Sequence, residues 1–317
     1  MQDTFGREID YLRISVTDLC DLRCRYCMPP EGVKKQSHRD ILSLEEIEEI
    51  ARAAVTLGVK KLRLTGGEPL LRRGIVGLCE KLSAIPGVEE LALTTNAVRL
   101  PELAKPLKAA GVRRVNISLD TLNAEKYRAI TRCGDIDSAF AGIRAAVEAG
   151  LTPLKLNTVL IGGFNDDEIP ALTDLTKKYP VEVRFIELMP IGDAAPFPGG
   201  AYLPCTAVTE RCPELVPIEN GRGVAERYRF PGAPGTVGLI RPISCSFCGS
   251  CSRIRLTADG YLKPCLHSKE EIPLRGLHGD ALTERIREAI EKKPKEHGVL
   301  SAVSRSEAER SMNAIGG

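Results

Sequence analysis

The sequence predicts an α/β fold: an incomplete (βα)6 barrel of the TIM type over residues 1–191, with an irregular α+β segment over residues 192–317 covering its open side. Three observations predict it. Short β-rich runs alternate with helical patterns from the start, six such units follow one another, and the pattern stops near residue 192, where Pro, Gly and Cys thicken. Parallel neighbours in a sheet need a crossover, so repeated strand–helix units imply a parallel sheet covered by helices. An open doubly wound sheet is the competing arrangement for the same pattern.

The first strand is read from YLRISV, Tyr11 to Val16, which alternates apolar and polar residues with the period of a half-buried strand. The helix after it, SLEEIEEIARAAVTLG, opens on Ser43 and Glu46 at capping-box spacing and stops at Gly58. KLRLT, Lys61 to Thr65, begins the second unit, whose helix lies around Ile75 to Ser83. ELALTT precedes LPELAKPLKAAG, RVNISL precedes the region ending in AFAGIRAAVEAG, and LKLNTVLI precedes DDEIPALTDLTKKY. VEVRFIEL, Val181 to Leu188, is the sixth strand. Beyond it, GDAAPFPGGAYLP and FPGAPGTVGLIRPISCSFCGSC read as loops and short irregular strands. One more helix, LTERIREAIEKKP, precedes a polar tail ending RSMNAIGG.

Composition narrows the function classes. With 44 Lys+Arg against 42 Asp+Glu the net charge is +2, and no long basic run marks a nucleic-acid surface, so an anionic ligand must be met by local groups. No stretch is long and apolar enough to suggest a bilayer span, and MQDTFGREID does not read as a secretory leader. Eleven cysteines, an odd number, then point to a reducing, cytoplasmic setting in which cysteines bind metal or do chemistry. Cys79, Cys133, Cys205 and Cys212 read as small, partly buried residues without function.

In such barrels ligands gather at the C-terminal ends of the strands. Standing there are Cys20, Cys24 and Cys27 after strand one, TGGEP after strand two, Thr94, Thr95 and Asn96 after strand three, and Ser118 and Asp120 after strand four. Lys155 and Asn157 lie on strand five, and Glu187 and Met189 on strand six. The stretch CDLRCRYC holds three thiols with three and then two residues between them. Structural zinc takes four protein ligands, whereas three thiolates on a [4Fe-4S] cluster leave one iron open. Taken alone the triad fits either, and TGGEP alone reads as a glycine-rich turn with a helix-starting proline. Cys248, Cys251 and Cys265 form a second set, and Cys245 is available as a fourth thiolate for an all-cysteine zinc site.

The first triad's spacing, with Tyr26 just before its third cysteine and a predicted strand before the loop, resembles the radical S-adenosylmethionine (SAM) signature. GGEP, Gly66 to Pro69, resembles the same superfamily's motif for the SAM amino group. CGSCSRIRL followed by GYLKPCL resembles the second-cluster segment of the GTP 3′,8-cyclase family, which begins molybdenum-cofactor biosynthesis. FGREIDYLRISVTDLC, LRLTGGEPLLRR, LTTNAV, FNDDE, RFIELMPIG and NAIGG resemble that family's other segments, in the same order from Phe5 to Gly317. The chain departs from the pattern at Ala97, where the family often has glycine, and at Cys133 and Cys245, which are not motif residues.

The resemblance implies two [4Fe-4S] clusters, one on Cys20, Cys24 and Cys27 and one on Cys248, Cys251 and Cys265. The open iron of the first would bind SAM, and that of the second the guanine ring of GTP. It implies SAM contacts at Tyr26, Gly67, Ser118 and Met189, and GTP contacts at Arg13, Arg63, Thr94, Lys155, Arg253 and Arg255. The diglycine end, Gly316 and Gly317, would reach the active site. Each has an ordinary reading as well: core packing for Tyr26 and Met189, a surface salt bridge for a strand arginine, a frayed end for the glycines. The implied activity is radical conversion of GTP to the 3′,8-cyclic dihydro nucleotide, with no side-chain nucleophile. Partners would be GTP, an electron donor and the next enzyme of the pathway, with the chain a monomer or homodimer. Two readings compete. A radical SAM enzyme with a larger auxiliary-cluster domain would need more cysteines than CGSC and Cys265 supply, and a non-catalytic protein would hold two zinc knuckles.

Overall fold

The computed structural model describes residues 1–317 except 34–36, 38, 193–200, 221–222, 302–303 and 317. Its first part runs β1 (Tyr11–Ser15), α1 (Leu44–Thr56), β2 (Lys61–Thr65), α2 (Ile75–Ser83), β3 (Glu90–Thr95), α3 (Leu100–Ala109) and β4 (Arg114–Ser118). Then follow α4 (Ala124–Thr131), α5 (Ile136–Glu148), β5 (Lys155–Leu160), α6 (Ile169–Lys178) and β6 (Glu182–Glu187). The rest contains α7 (Thr206–Arg211), β7 (Val216–Pro217), β8 (Glu226–Arg229), β9 (Thr236–Ile240), β10 (Arg253–Leu256), β11 (Tyr261–Lys263), β12 (Ile272–Pro273), α8 (Gly279–Glu291) and α9 (Met312–Ile315).

The six expected strands are present, and β1 to β6 pair in chain order, each parallel to the next. Alternation sorts their side chains by face. Leu12, Ile14, Leu62 and Leu64 are fully buried under the helices, and Arg13 and Arg63 point to the opposite, lumenal side. Helix α1 begins with the capping box the sequence announces: Ser43 Oγ accepts from Glu46 N at 3.1 Å and Glu46 Oε2 accepts from Ser43 N at 2.7 Å. Its Ile47, Ile50, Ala51 and Ala54 then bury one face in the main core.

The C-terminal segment does more than cover the open side. Strand β9 extends the sheet beyond β6, and β10 extends it beyond β1, both in parallel. The ladder runs β12-β11-β10-β1-β2-β3-β4-β5-β6-β9-β8-β7 and does not close on itself. The fold is therefore an incomplete (βα) barrel in which late strands flank the six early ones. Residues 241–252, between β9 and β10, pass from one edge of the parallel sheet to the other.

Helix α4 lies in a region that the sequence reading left undivided. It ends at Arg132, whose φ of +65° breaks the helix, and Asp135 then caps α5 through bonds from Asp137 N and Ser138 N. Among the described residues no helix is long and apolar enough to cross a membrane.

Candidate active site

The first triad stands on a loop tied at both ends. Gly67 N donates to Thr17 O at 2.8 Å and Glu68 N to Leu19 O at 2.7 Å, so the GGEP turn is laced to the chain entering Cys20. A β-carbon on Gly67 would come within 2.2 Å of Leu19 O, which explains a glycine there without recourse to a ligand. On its far side the loop rests on the end of α4: Arg25 N donates to Ile130 O at 2.9 Å, and Arg132 Nη1 donates to Arg23 O at 2.8 Å and Met28 O at 2.9 Å. Glu68 itself is buried and accepts from Thr95 Oγ1, Asn96 N and Leu70 N, fixing β3 against the turn. Burial outweighs those bonds and pushes its carboxyl up to about 7.

Cys20, Cys24 and Cys27 face a cavity of about 210 Å³. Tyr26, Gly67, Ser118 and Met189, the four residues assigned to SAM by resemblance, all line it, and so does Thr94. Tyr26 donates its hydroxyl to Asp120 Oδ2 at 2.7 Å, and Asp120 Oδ1 accepts from Val159 N at 2.9 Å. Burial nevertheless raises Asp120 to about 6. Two buried polar atoms on the cavity wall, Tyr127 OH and Asn157 Oδ1, have no hydrogen-bond partner among the described residues. Such orphans are costly in a closed interior and ordinary where a polar ligand enters.

Beside this cavity lies a row of arginines. Register pairs Arg13 with Arg63 on one side and with Arg255 on the other, so three guanidinium groups share one face of three adjacent strands. Like charges directly opposite each other destabilise a sheet. Arg63 and Arg255 are 4% and 5% exposed. Burial first, then the neighbouring arginines, holds Arg13 well below the ordinary guanidinium value, and burial with Arg253 brings Arg255 to about 10. Tyr11 feels the same field: although burial opposes it, Arg63, Arg13 and Arg253 draw its hydroxyl down to about 8. Arg63 Nε donates to that hydroxyl and its Nη1 reaches Thr94 Oγ1 at 3.4 Å, while Arg253 stacks on the Phe247 ring at 5.5 Å. A stack of buried cations is a local charge conflict that a bound anion relieves.

Lys155 is placed differently from the arginines. It pairs with Glu182 at 2.9 Å, and Glu182 also takes Arg184 Nε at 2.5 Å. Against the effect of burial, Arg184 and Lys155 hold the Glu182 carboxyl at about 2. At the start of β5 and β6 one carboxylate is thus shared by two cations, whereas Arg63, Arg253 and Arg255 make no ion pair among the described residues.

Two cysteines of the second triad, Cys248 and Cys251, lie in the crossing between the sheet's edges, and Cys265 follows β11. Glu187, at the end of β6, accepts from Cys205 N at 3.2 Å, Ile243 N at 3.0 Å and Ser244 N at 2.9 Å, and so anchors the start of this segment. Cys248 to Ser250 form a single 3-10 turn that delivers Cys251 to the start of β10. Arg255 faces Lys263 across the antiparallel β10–β11 pair, so the hairpin brings Cys265, two residues after β11, back toward the end of β10 that follows Cys251. Burial raises the Cys251 thiol, but Lys293 and Arg253 outweigh it and the net shift is downward. The chain's end meets this region: Arg255 Nη1 donates to Gly316 O at 2.7 Å. Gly316 has φ +81°, and a β-carbon on it would lie 2.3 Å from Thr65 Oγ1. Gly317 lies outside the described residues.

Comparison with known proteins decides the family. Residues 14–176 match the radical SAM superfamily, and residues 181–299 match the family described as molybdenum cofactor synthesis C. The chain is 49% identical to the GTP 3′,8-cyclase of Alkaliphilus oremlandii, with 100% of each chain covered. It is 51% identical to that of Pelotomaculum thermopropionicum, again over 100% of both. It belongs to the GTP 3′,8-cyclase family. Among solved structures, Streptococcus suis SuiB bound to S-adenosylmethionine superposes with a TM-score of 0.60 at 15% identity, covering 97% of this chain and 75% of that one, a likeness of fold.

A radical SAM member of this family uses SAM and an iron–sulfur cluster, and the first triad fits them. Its thiols line a cavity that also carries two orphaned polar atoms. Among the described residues no three His, Cys, Asp or Glu side chains stand close enough to share a single metal ion. A four-iron cluster does not ask for that, since each thiolate binds its own iron.

Sequence reasoning missed Tyr11, Glu182 and Arg184 as parts of the lumen. Strand alternation carried the signal, because Tyr11, Arg13 and Ser15 share one parity, but only the neighbouring strands reveal which parity faces inward.

Proposed function

We propose that the chain converts GTP to (8S)-3′,8-cyclo-7,8-dihydroguanosine 5′-triphosphate, the first step of molybdenum-cofactor biosynthesis, as a radical SAM lyase. The observation that carries this beyond family membership is the buried row Arg63–Arg13–Arg255 beside a cavity that holds a thiol triad. A cationic lumen suits a triphosphate, and guanidinium forks suit its oxygens.

Cys20, Cys24 and Cys27 would hold the SAM cluster, and Cys248, Cys251 and Cys265 would hold a second [4Fe-4S] cluster that would take up the guanine. Bound there, SAM and its cluster would supply the 5′-deoxyadenosyl radical that removes hydrogen from C3′, and after C3′–C8 closure one further electron and a proton would complete the dihydro product. The rest is positioning by the chain. Tyr26, held by Asp120, walls the SAM cavity, Gly67 lets SAM approach the main chain, and Ser118 and Met189 complete the contact. Arg13, Arg63, Arg253 and Arg255 neutralise the triphosphate, Thr94 adds a hydroxyl between the two ligands, and Lys155 joins by exchanging its Glu182 partner for phosphate. The tail's main chain, with the Gly316 carbonyl on Arg255, contacts the cations around GTP and helps the radical form beside the correct hydrogen. The division at residues 1–191 and 192–317 follows the same logic, with SAM chemistry in the first part and GTP handling in the second. An external one-electron donor is required, and product passes to the next enzyme of the pathway.

The test is anaerobic incubation of reconstituted protein with SAM, a reductant and GTP. Formation of 5′-deoxyadenosine together with the cyclic nucleotide is expected. Release of 5′-deoxyadenosine at the same rate with and without GTP, and no cyclic product, would overturn the assignment.

A further inference from the structure

Lys293 follows the last turn of α8 and is 3% exposed. Its ammonium donates to Arg253 O at 2.8 Å and to Pro264 O at 2.7 Å. Those carbonyls belong to the second residue after Cys251 and to the residue just before Cys265. From another side Arg7, also buried, donates through Nη1 to Cys248 O at 2.9 Å and Lys295 O at 2.9 Å, and through Nη2 to Pro294 O at 2.7 Å. The main chain beside all three cysteines of the second triad is therefore gripped by two buried cations.

The two differ in their counter-charge. Arg7 has the Asp3 carboxylate at 2.6 Å, whereas Lys293 meets no carboxylate among the described residues. An ammonium removed from water without an anion is poorly compensated by two carbonyl dipoles. Both carbonyls lie beside cysteines of the triad, whose thiolates are the counter-charge that the site would offer. A lysine in EKKPKE reads from sequence as a solvated helix end, and its neighbours Lys292 and Lys295 are ordinary examples.

We propose that Lys293 is a positioning residue of the second triad: it clamps the β10–β11 hairpin that carries Cys251 and Cys265, and it supplies the positive charge that balances the thiolates and the iron–sulfur group they hold. Arg7 ties the Cys248 turn to the segment that follows Lys293. This rests on the reading that the second triad carries a cluster. Charge beside a cluster sets how readily it accepts an electron, so Lys293 raises the potential of the second cluster and leaves the first alone.

Lys293→Met keeps the length of the stem and removes the charge. It is examined in the full chain after anaerobic reconstitution, by iron content and by a redox titration followed by electron paramagnetic resonance. A parallel Cys20/Cys24/Cys27→Ala background leaves only the second cluster to be read. In Lys293→Met the second cluster's midpoint should move to more negative potential, the first cluster's signal should not change, and Lys293→Arg should bring the midpoint back toward wild type. Loss of the second cluster in Lys293→Met but not in Lys293→Arg would support the same charge requirement. An unchanged midpoint with unchanged iron content in Lys293→Met would overturn the proposal. Failure of the triple-alanine protein, with Lys293 intact, to hold any cluster would instead sink the two-cluster reading beneath it.

Discussion

At the first triad, burial raises the Cys20 and Cys24 thiols and the neighbouring carboxylates Glu68, Asp21 and Asp120 raise them further. At the second, Lys293 and Arg253 more than cancel burial and draw Cys251 down. Both loops are strapped through main-chain carbonyls by guanidinium groups, Arg132 at the first and Arg7 at the second, so the fastening is alike and the field is not. The difference matches the ligands proposed for the two sites. A sulfonium carries positive charge and suits an acid-lined pocket, whereas a nucleoside triphosphate suits a base-lined one. Two similar thiol sets can thus be told apart by the charge around them when spacing alone cannot do it.

The sharpest break in the comparison should come from the thiols themselves. Cys24→Ala is expected to abolish reductive cleavage of SAM while GTP still binds, and Cys251→Ala to impair GTP binding and turnover, read by 5′-deoxyadenosine assay and equilibrium binding. Iron absent from both triads after reconstitution, with zinc in its place, would remove the comparison altogether. Next in size is the tail. Deleting Gly316 and Gly317 should strongly reduce cyclic nucleotide formation with iron content and Tm unchanged, because the Gly316 carbonyl reaches Arg255 and no core side chain is lost. Full product yield from the shortened chain would make that contact incidental.

Smaller effects separate the cations. Arg253→Ala and Arg255→Ala should each weaken GTP binding by about 1–3 kcal/mol and leave SAM affinity unchanged, measured by calorimetry. Equal loss for both ligands would show that the basic and acidic sites are one. The smallest expected effect concerns the ion-paired end of the lumen. The Glu182 carboxyl is held at about 2 instead of 4.5, so its stabilising contribution is complete above about 4.5 and is lost as pH falls toward 2. The Tm difference between wild type and Glu182→Gln should therefore shrink over that interval. A difference independent of pH would mean that the ion pair with Lys155 adds nothing.

Most of the early barrel was legible because its elements announce themselves locally. KLRLT is β2 residue for residue, and the Ser43–Glu46 box marks the true start of α1. The edges were not legible. TVGLI is a short apolar run and RIRL a short alternating one, their partners, β6 and β1, lie far away in the chain, and no local period encodes a distant neighbour. At the site, cysteine spacing and GGEP pointed to the cavity that Tyr26, Gly67, Ser118 and Met189 line. The partners of Lys155 and Lys293 were harder to see, because a lysine's sequence context does not say whether a carboxylate, a carbonyl or water receives its ammonium.

The late arrival of β9 and β10 has a consequence for synthesis on the ribosome. Until residues 236–256 have emerged, β1 and β6 are bare edges with unsatisfied main-chain donors and acceptors, the kind of surface that recruits strands from other chains. The early barrel units can pair as they appear, yet the nascent chain stays open to wrong partners for most of its translation. One crossing segment separates the two capping strands, and it is the segment that carries Cys248 and Cys251. A chain stopped before it would therefore aggregate as well as lack those two thiols.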